Sequence, residues 1–116
     1  MTVLVVDDHQ GFRTSARELL ETEGFEVVGE AADGASGIDA VRVLHPDIVL
    51  LDVQLPDIDG IRVSKEISAQ NGSAIILISA CDITDLRSAL ADSPALGFIP
   101  KSELSGEALR ALLGRG

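Results

Sequence analysis

Five residues of this 116-residue chain carry side chains that could do chemistry together: the adjacent carboxylates Asp7 and Asp8, a third carboxylate at Asp52, the hydroxyl of Ser79 and the ammonium of Lys101. Each stands where a short apolar run stops: VLVV before Asp7, IVLL before Asp52, IILI before Ser79 and GFIP before Lys101. Three carboxylates brought to one place repel one another and raise at least one pKa unless a cation shares the site. A hard divalent ion is the natural relief. Mg2+ takes oxygen ligands, keeps several waters and bridges carboxylates to a phosphate oxygen, and Mn2+ could substitute for it. The single Cys and the two separated His residues make no zinc pattern. A carboxylate beside such an ion can attack phosphorus and become an aspartyl phosphate, with a lysine opposite neutralising the phosphoryl charge. Asp52 is then the nucleophile, with Lys101 and Ser79 as its catalytic partners. Ser79 could donate to a phosphoryl oxygen only once that oxygen is present, and such a contact differs between states as a switch requires.

For these groups to meet, the runs before them must be neighbouring strands that end on one rim. Residues 2–6 and 48–51 read as strands buried on both faces, 25–31 alternates enough to be a strand, 74–78 is a fourth and 97–100 a short fifth. Between them lie helical patterns. Over 10–23, Phe12, Ala16, Leu19 and Leu20 share one face, with Asp8 offered as a cap and Gly24 as the residue past the end. Asp33-Gly34 turns into a helix in which Ile38, Val41 and Leu44 share a face, and Pro46 stops it. Further helices are expected over 61–70 and 82–92, and a last one starts at Ser102 or Ser105 and carries Leu104, Ala108, Leu109, Leu112 and Leu113. Strands alternating with helices predict an α/β fold, a doubly wound five-stranded parallel sheet with five helices in three layers. In such sheets ligands bind at the carboxyl ends of the strands.

Composition narrows the function. Length and the absence of a repeat or linker predict one domain over 1–116, with no output domain. Nineteen acidic against nine basic residues give a net charge of −10, which excludes direct nucleic-acid binding and repels anionic lipid. The amino terminus offers neither signal peptide nor membrane span, and lone Cys81 fits a reducing compartment, so the expected location is cytoplasmic. Asp57 and Asp59, in PDIDG, are explained by turn chemistry; His9 reads as solvated and His45 as a loop residue.

The stretches VLVVDDH, PDIVLLDVQLPDIDG, AIILISA and GFIPKS, in this order, resemble the receiver domain of bacterial response regulators, the CheY-like fold. DDHQGFR and FEVVGEAADG are most similar to receivers of the NarL/LuxR type. The resemblance covers essentially the whole chain. It implies the strand order 2-1-3-4-5. It also implies that Asp52 is phosphorylated by a sensor histidine kinase. Asp8 would bind the metal directly and Asp7 through water, with Asp52 and the backbone carbonyl of Gln54 completing the ligands. Phe98 would be an aromatic switch coupled to Ser79, while Gln54 and Cys81 stand where phosphoryl lifetime is tuned. Phe12, Arg13 and the loop after Lys101 would dock the kinase. The output surface would be the helix over 82–92, the fifth strand and the last helix, serving an output domain or protein, with a homodimer on activation. Ser102 follows the lysine where many receivers have Pro. The competing readings are a phosphorylation-independent pseudo-receiver, the excised receiver of a DNA-binding LuxR-type regulator, and a small-molecule hydrolase. The hydrolase is disfavoured because Gln54 stands where a second acid would assist turnover.

Overall fold

The structure, a computed structural model, describes residues 1–70, 72–80 and 90–114. Among the described residues one parallel sheet is formed by β1 (Thr2–Val6), β2 (Glu26–Ala31), β3 (Ile48–Asp52), β4 (Ala74–Ser79) and β5 (Gly97–Pro100), in the order β2-β1-β3-β4-β5. The helices are α1 (Gln10–Thr22), α2 (Gly34–Leu44), α3 (Gly60–Gln70) and α4 (Gly106–Leu113), with a 3-10 turn over Lys101–Glu103. The doubly wound sheet and its order are as expected. The helix expected over 82–92 lies outside the described residues except at its end, and so does Cys81. No helix among the described residues is long and apolar enough to cross a membrane.

Strand alternation divides the interior into two cores. Val3, Val5, Ile48, Leu50, Ile76, Ile78 and Ile99 pack with Ala16 and Leu20 of α1 and Leu109 of α4. Leu4, Val6, Val49, Leu51, Ile75 and Leu77 pack on the other face with Val41 of α2 and Val63 and Ile67 of α3. Every residue of β3 is buried, which explains its unbroken apolar run. Burying each such Leu or Ile contributes about 1.5–3 kcal/mol.

The same alternation assigns faces at the rim. Asp7 continues the parity of Val3 and Val5, Asp52 that of Ile48 and Leu50, and Lys101 that of Ile99, so all three belong to the face covered by α1 and α4. Ser79 has the parity of Ile75 and Leu77, on the opposite face. Phe98 is the Cα partner of Leu77 and packs into that second core.

Helix ends correct three expectations. Asp8 does not cap α1: the N-cap position is His9, which makes no side-chain cap, and Asp7 Oδ1 instead accepts the His9 N–H at 2.8 Å. The carboxylate that falls at the strand end is fixed by its position in β1, which leaves Asp8 one residue too early to cap. Of the two expected starts of the last helix, Ser105 caps it, accepting from Ala108 N at 3.0 Å, but Leu104, expected on that helix, precedes its first residue Gly106, as does Ser102. On α2, Val41 is buried but Leu44 lies at the surface; the helix meets Val6 of β1 at Gly37, and Val63 of α3 and Ile58 at Gly34. At the end of α1 the expectation holds: Gly24 adopts φ +94°, with Gly24 N donating to Glu21 O and Phe25 N to Leu20 O, and Phe25 packs with Leu20.

Candidate functional site

The rim is built from strand ends in register. Val6 pairs with Leu51, Asp52 with Ile78, and Ser79 with Pro100, so the residues that follow or end β1, β3, β4 and β5 converge. Asp7, Asp52 and Ser79 are buried, whereas Asp8 is exposed. Lys101 Nζ lies 2.6 Å from Asp7 Oδ2 and 3.3 Å from Asp52 Oδ2, to which it donates a hydrogen bond. The ring of Phe12, on α1, covers the ammonium at 4.8 Å from its centroid. The lysine is thus held closer to Asp7 than to Asp52, an order that strand positions alone could not indicate.

Burial, above all, pushes the Asp52 carboxyl above the usual range, and the charge of Asp7 adds to this; the Gln54 N–H, donating to Oδ1 at 3.0 Å, and Lys101 pull the other way. Burial lowers Lys101, but its contacts with Asp7 and Asp52 outweigh that and hold the ammonium above its ordinary value. Three carboxylates against one ammonium leave two negative charges, 3 − 1 = 2, the charge of one divalent ion. Carboxylate oxygens of Asp7, Asp8 and Asp52 and a nitrogen of His9 lie within 4.8 Å of one another. The fully buried Asp7 Oδ2 has the Lys101 ammonium as its close charged partner, at 2.6 Å. These residues fit a hard divalent cation.

Several contributors were not legible in sequence. His9, read as solvated, is 69% exposed at its side chain yet places Nδ1 3.2 Å from Asp7 Oδ1 and 3.1 Å from Asp8 Oδ1. Arg13, expected as a docking residue, donates from Nη1 to the Asp7 carbonyl at 2.6 Å and from Nε to Glu30 at 3.1 Å, so its guanidinium braces the strand end. Asp57 reaches across to the start of α2, where Gly34 N and Ala35 N donate to it at 2.8 and 3.0 Å, and these bonds hold its carboxyl below the usual range. Asp59 accepts from Ile61 N at 2.8 Å and starts α3. Both acids of PDIDG therefore serve local structure, as their turn chemistry suggested. Gly60 sits against the acceptor strand: a Cβ there would fall on the Asp52 carbonyl oxygen and 2.7 Å from Val53 Cα. A Gly after an Asp signals a turn in sequence, but not this close approach.

A doubly wound parallel sheet with buried acids and a lysine at its carboxyl rim is an α/β domain of the class that binds ligands at the strand ends. Residues 3–113 match the family described as response regulator receiver domain, and the chain belongs to that family. Among solved structures it is similar to the signal receiver domain of the response regulator NarL from Mycobacterium tuberculosis, at 35% identity and TM-score 0.85, covering 98% of this chain and 94% of that one. It is also similar to a chain of the CheX–CheY–BeF3–Mg2+ complex from Borrelia burgdorferi, at 27% identity and TM-score 0.83, covering 99% and 87%. Among curated relatives, a protein-glutamate methylesterase/protein-glutamine glutaminase from Pseudoalteromonas atlantica is 39% identical over 85% of this chain but only 27% of its own length. The transcriptional regulatory protein PdtaR of M. tuberculosis is 33% identical over 85% of this chain and 48% of its own length. The chain thus spans about a quarter to half the length of these relatives.

Proposed function

We propose that this receiver accepts a phosphoryl group on Asp52 from a sensor histidine kinase and passes the change to an output partner. The observation that carries the reading is the Lys101 ammonium set between two buried carboxylates, Asp7 and Asp52, at the ends of neighbouring parallel strands. An Asp52 carboxylate oxygen forms a bond to phosphorus while the bond from phosphorus to the donor imidazole breaks, its electron pair leaving with that nitrogen. Lys101, which donates to Asp52 Oδ2, would neutralise charge on the phosphoryl oxygens, and Gln54 N–H orients the carboxylate through Oδ1. Asp8 and Asp52, with Asp7 and the Gln54 carbonyl, would hold Mg2+. When bound, that ion neutralises phosphoryl charge. A CheY neighbour solved with BeF3 and Mg2+ supports the assignment.

Ser79, at the end of β4 beside β3, would hydrogen-bond the new phosphoryl oxygen, and Phe98 packs in the core on the sheet face whose parity Ser79 continues. The readout surface then includes β5 and α4, beside a groove of about 260 Å³ lined by Phe98, Pro100, Glu103 and Leu112. An attached output domain, a separate protein or a second copy formed on activation would use it; the relatives that extend beyond the matched stretch favour an attached one. Incubation with Mg2+ and a small phosphodonor tests the reading. A single phosphoryl adduct is expected by mass spectrometry, absent in Asp52→Asn, with amide shifts reaching Ser79 and Phe98. An adduct that persists in the variant overturns the acceptor, and shifts confined to the rim overturn the switch.

A further inference from the structure

Beyond the end of β2 a side chain takes over from the sheet. The N–H and C=O of one strand residue point to the same neighbouring strand, and Asp7 N–H donates at 2.9 Å to the carbonyl of Ala31, the last residue of β2. The Asp7 carbonyl therefore points past that strand's end. Arg13 Nη1, from α1, donates to it at 2.6 Å in place of a further ladder bond. The guanidinium is aimed through its Nε, which donates to Glu30 Oε1 at 3.1 Å, while Arg17 Nε holds Glu30 Oε2 at 2.9 Å and Arg17 Nη1 donates to the Val27 carbonyl at 3.2 Å. With 15% of its side chain exposed, Arg13 leaves little surface for a docking partner. Its hold on the carbonyl fixes the plane of the peptide between Asp7 and Asp8, and with it the direction of the Asp7 side chain. That carboxylate holds Lys101 Nζ at 2.6 Å, which sets the ammonium 3.3 Å from Asp52 Oδ2.

We propose that Arg13 and Glu30 are positioning residues for phosphoryl acceptance at Asp52, acting through the Asp7 peptide and Lys101 without touching the reacting atoms. The fork of the guanidinium is what the role requires. A lysine at position 13 keeps the charge, but its single nitrogen cannot reproduce two donors held in fixed relation, one on the Asp7 carbonyl and one on Glu30. A glutamine at position 30 keeps an oxygen for Arg13 Nε and gives up only the charge, whereas an alanine gives up both.

The proposal rests on Asp52 as the acceptor, and one experiment separates the two. The whole chain is phosphorylated by phosphoramidate in excess Mg2+ with no kinase present, and adduct formation is followed by mass spectrometry. Arg13→Lys should slow the reaction roughly tenfold, the scale of a small misplacement of a catalytic group. Glu30→Ala should slow it too, and Glu30→Gln should restore most of the parent rate. Asp47→Ala is the control for lost stability: it removes the bonds from Thr2 N and Oγ1 at the opposite end of the sheet. Its rate should stay within about twofold of the parent, as for a distant, independent site. The Asp8 amide resonance, which reads the hydrogen bond on the Asp7 carbonyl, should shift in Arg13→Lys and hold in Asp47→Ala. A parent rate in Arg13→Lys overturns the proposal and leaves that residue to kinase docking, and equal slowing in Asp47→Ala overturns it as well. A Glu30→Gln variant as slow as Glu30→Ala overturns the part given to Glu30. If the parent forms no adduct, or Asp52→Asn keeps it, the acceptor reading falls and the positioning role with it.

Discussion

Asp52 carries a charge that folding disfavours. Burial and the Asp7 carboxylate hold its folded pKa above the 3.8 of an unfolded chain, so the folded state binds a proton more readily and stability rises as pH falls from above the folded value toward 3.8. Asp47 and Asp57 are lowered instead, so the stability they contribute is present above 3.8 and lost only as pH drops below it. The two windows do not overlap. Removing the charge at Asp52 should therefore stabilise the domain at neutral pH, because Lys101 keeps its nearer partner, Asp7, at 2.6 Å. Asp52→Asn is expected to raise Tm by about 4 °C at pH 7, the scale of a 1 kcal/mol change in a chain of this size. The advantage should shrink toward pH 4. Thermal melts across that range check it, and an equal or lower Tm for the variant at pH 7 would show that the Lys101–Asp52 pair outweighs burial.

The rim is held in place by the elements behind it, and Gly60 is where this can be tested. It opens α3 directly against the chain leaving β3, with its N–H donating to Val53 O at 3.0 Å. A methyl group there meets backbone atoms, which have no rotamer to yield, so the loop carrying Gln54 must move. Gly60→Ala should cost about 1–3 kcal/mol in urea melts and weaken divalent-cation binding. Gly11→Ala is the control: it lies in the exposed first turn of α1 with no atom within 4 Å of a new Cβ, and should stabilise by about 0.5–1 kcal/mol. Equal effects from the two substitutions would mean that close approach is not what Gly60 provides. The contrast also marks how far the sequence could be read. Strand runs ending in Asp7, Asp52, Ser79 and Lys101 announced the rim, because apolar runs and their polar ends are local patterns. Gly60 against Asp52, Asp57 on α2, Arg13 on the Asp7 carbonyl and His9 turned toward two acids depend on how helices dock. No spacing in the chain encodes that. Alternation left one further ambiguity, since which sheet face Asp52 or Ser79 takes follows from which helices cover each face.

At the scale of the molecule, a net charge of −10 in a body with a radius of gyration of 12.4 Å makes electrostatic repulsion a general cost of folding. Two kinds of cation should relieve it differently. Sodium screens distant charges, with a Debye length of about 10 Å at 0.1 M, and so acts gradually and without saturation. A divalent ion held by Asp7, Asp8 and Asp52 acts by mass action, adding about 2.7 kcal/mol when present at a hundred times its dissociation constant. In melts matched for ionic strength, Mg2+ should raise Tm well beyond NaCl, along a curve that follows RT ln(1 + [Mg2+]/Kd). Asp8→Asn removes an exposed carboxylate with little packing to lose. It should melt slightly higher than the parent without divalent ions, since one repulsive charge is gone, yet lose the excess response to Mg2+. A parent whose Mg2+ and NaCl responses coincide would reduce the rim to a diffuse acidic surface. Loss of the Mg2+ response in Asp8→Asn alone would tie the ion to the strand ends, where the sheet has gathered its charge.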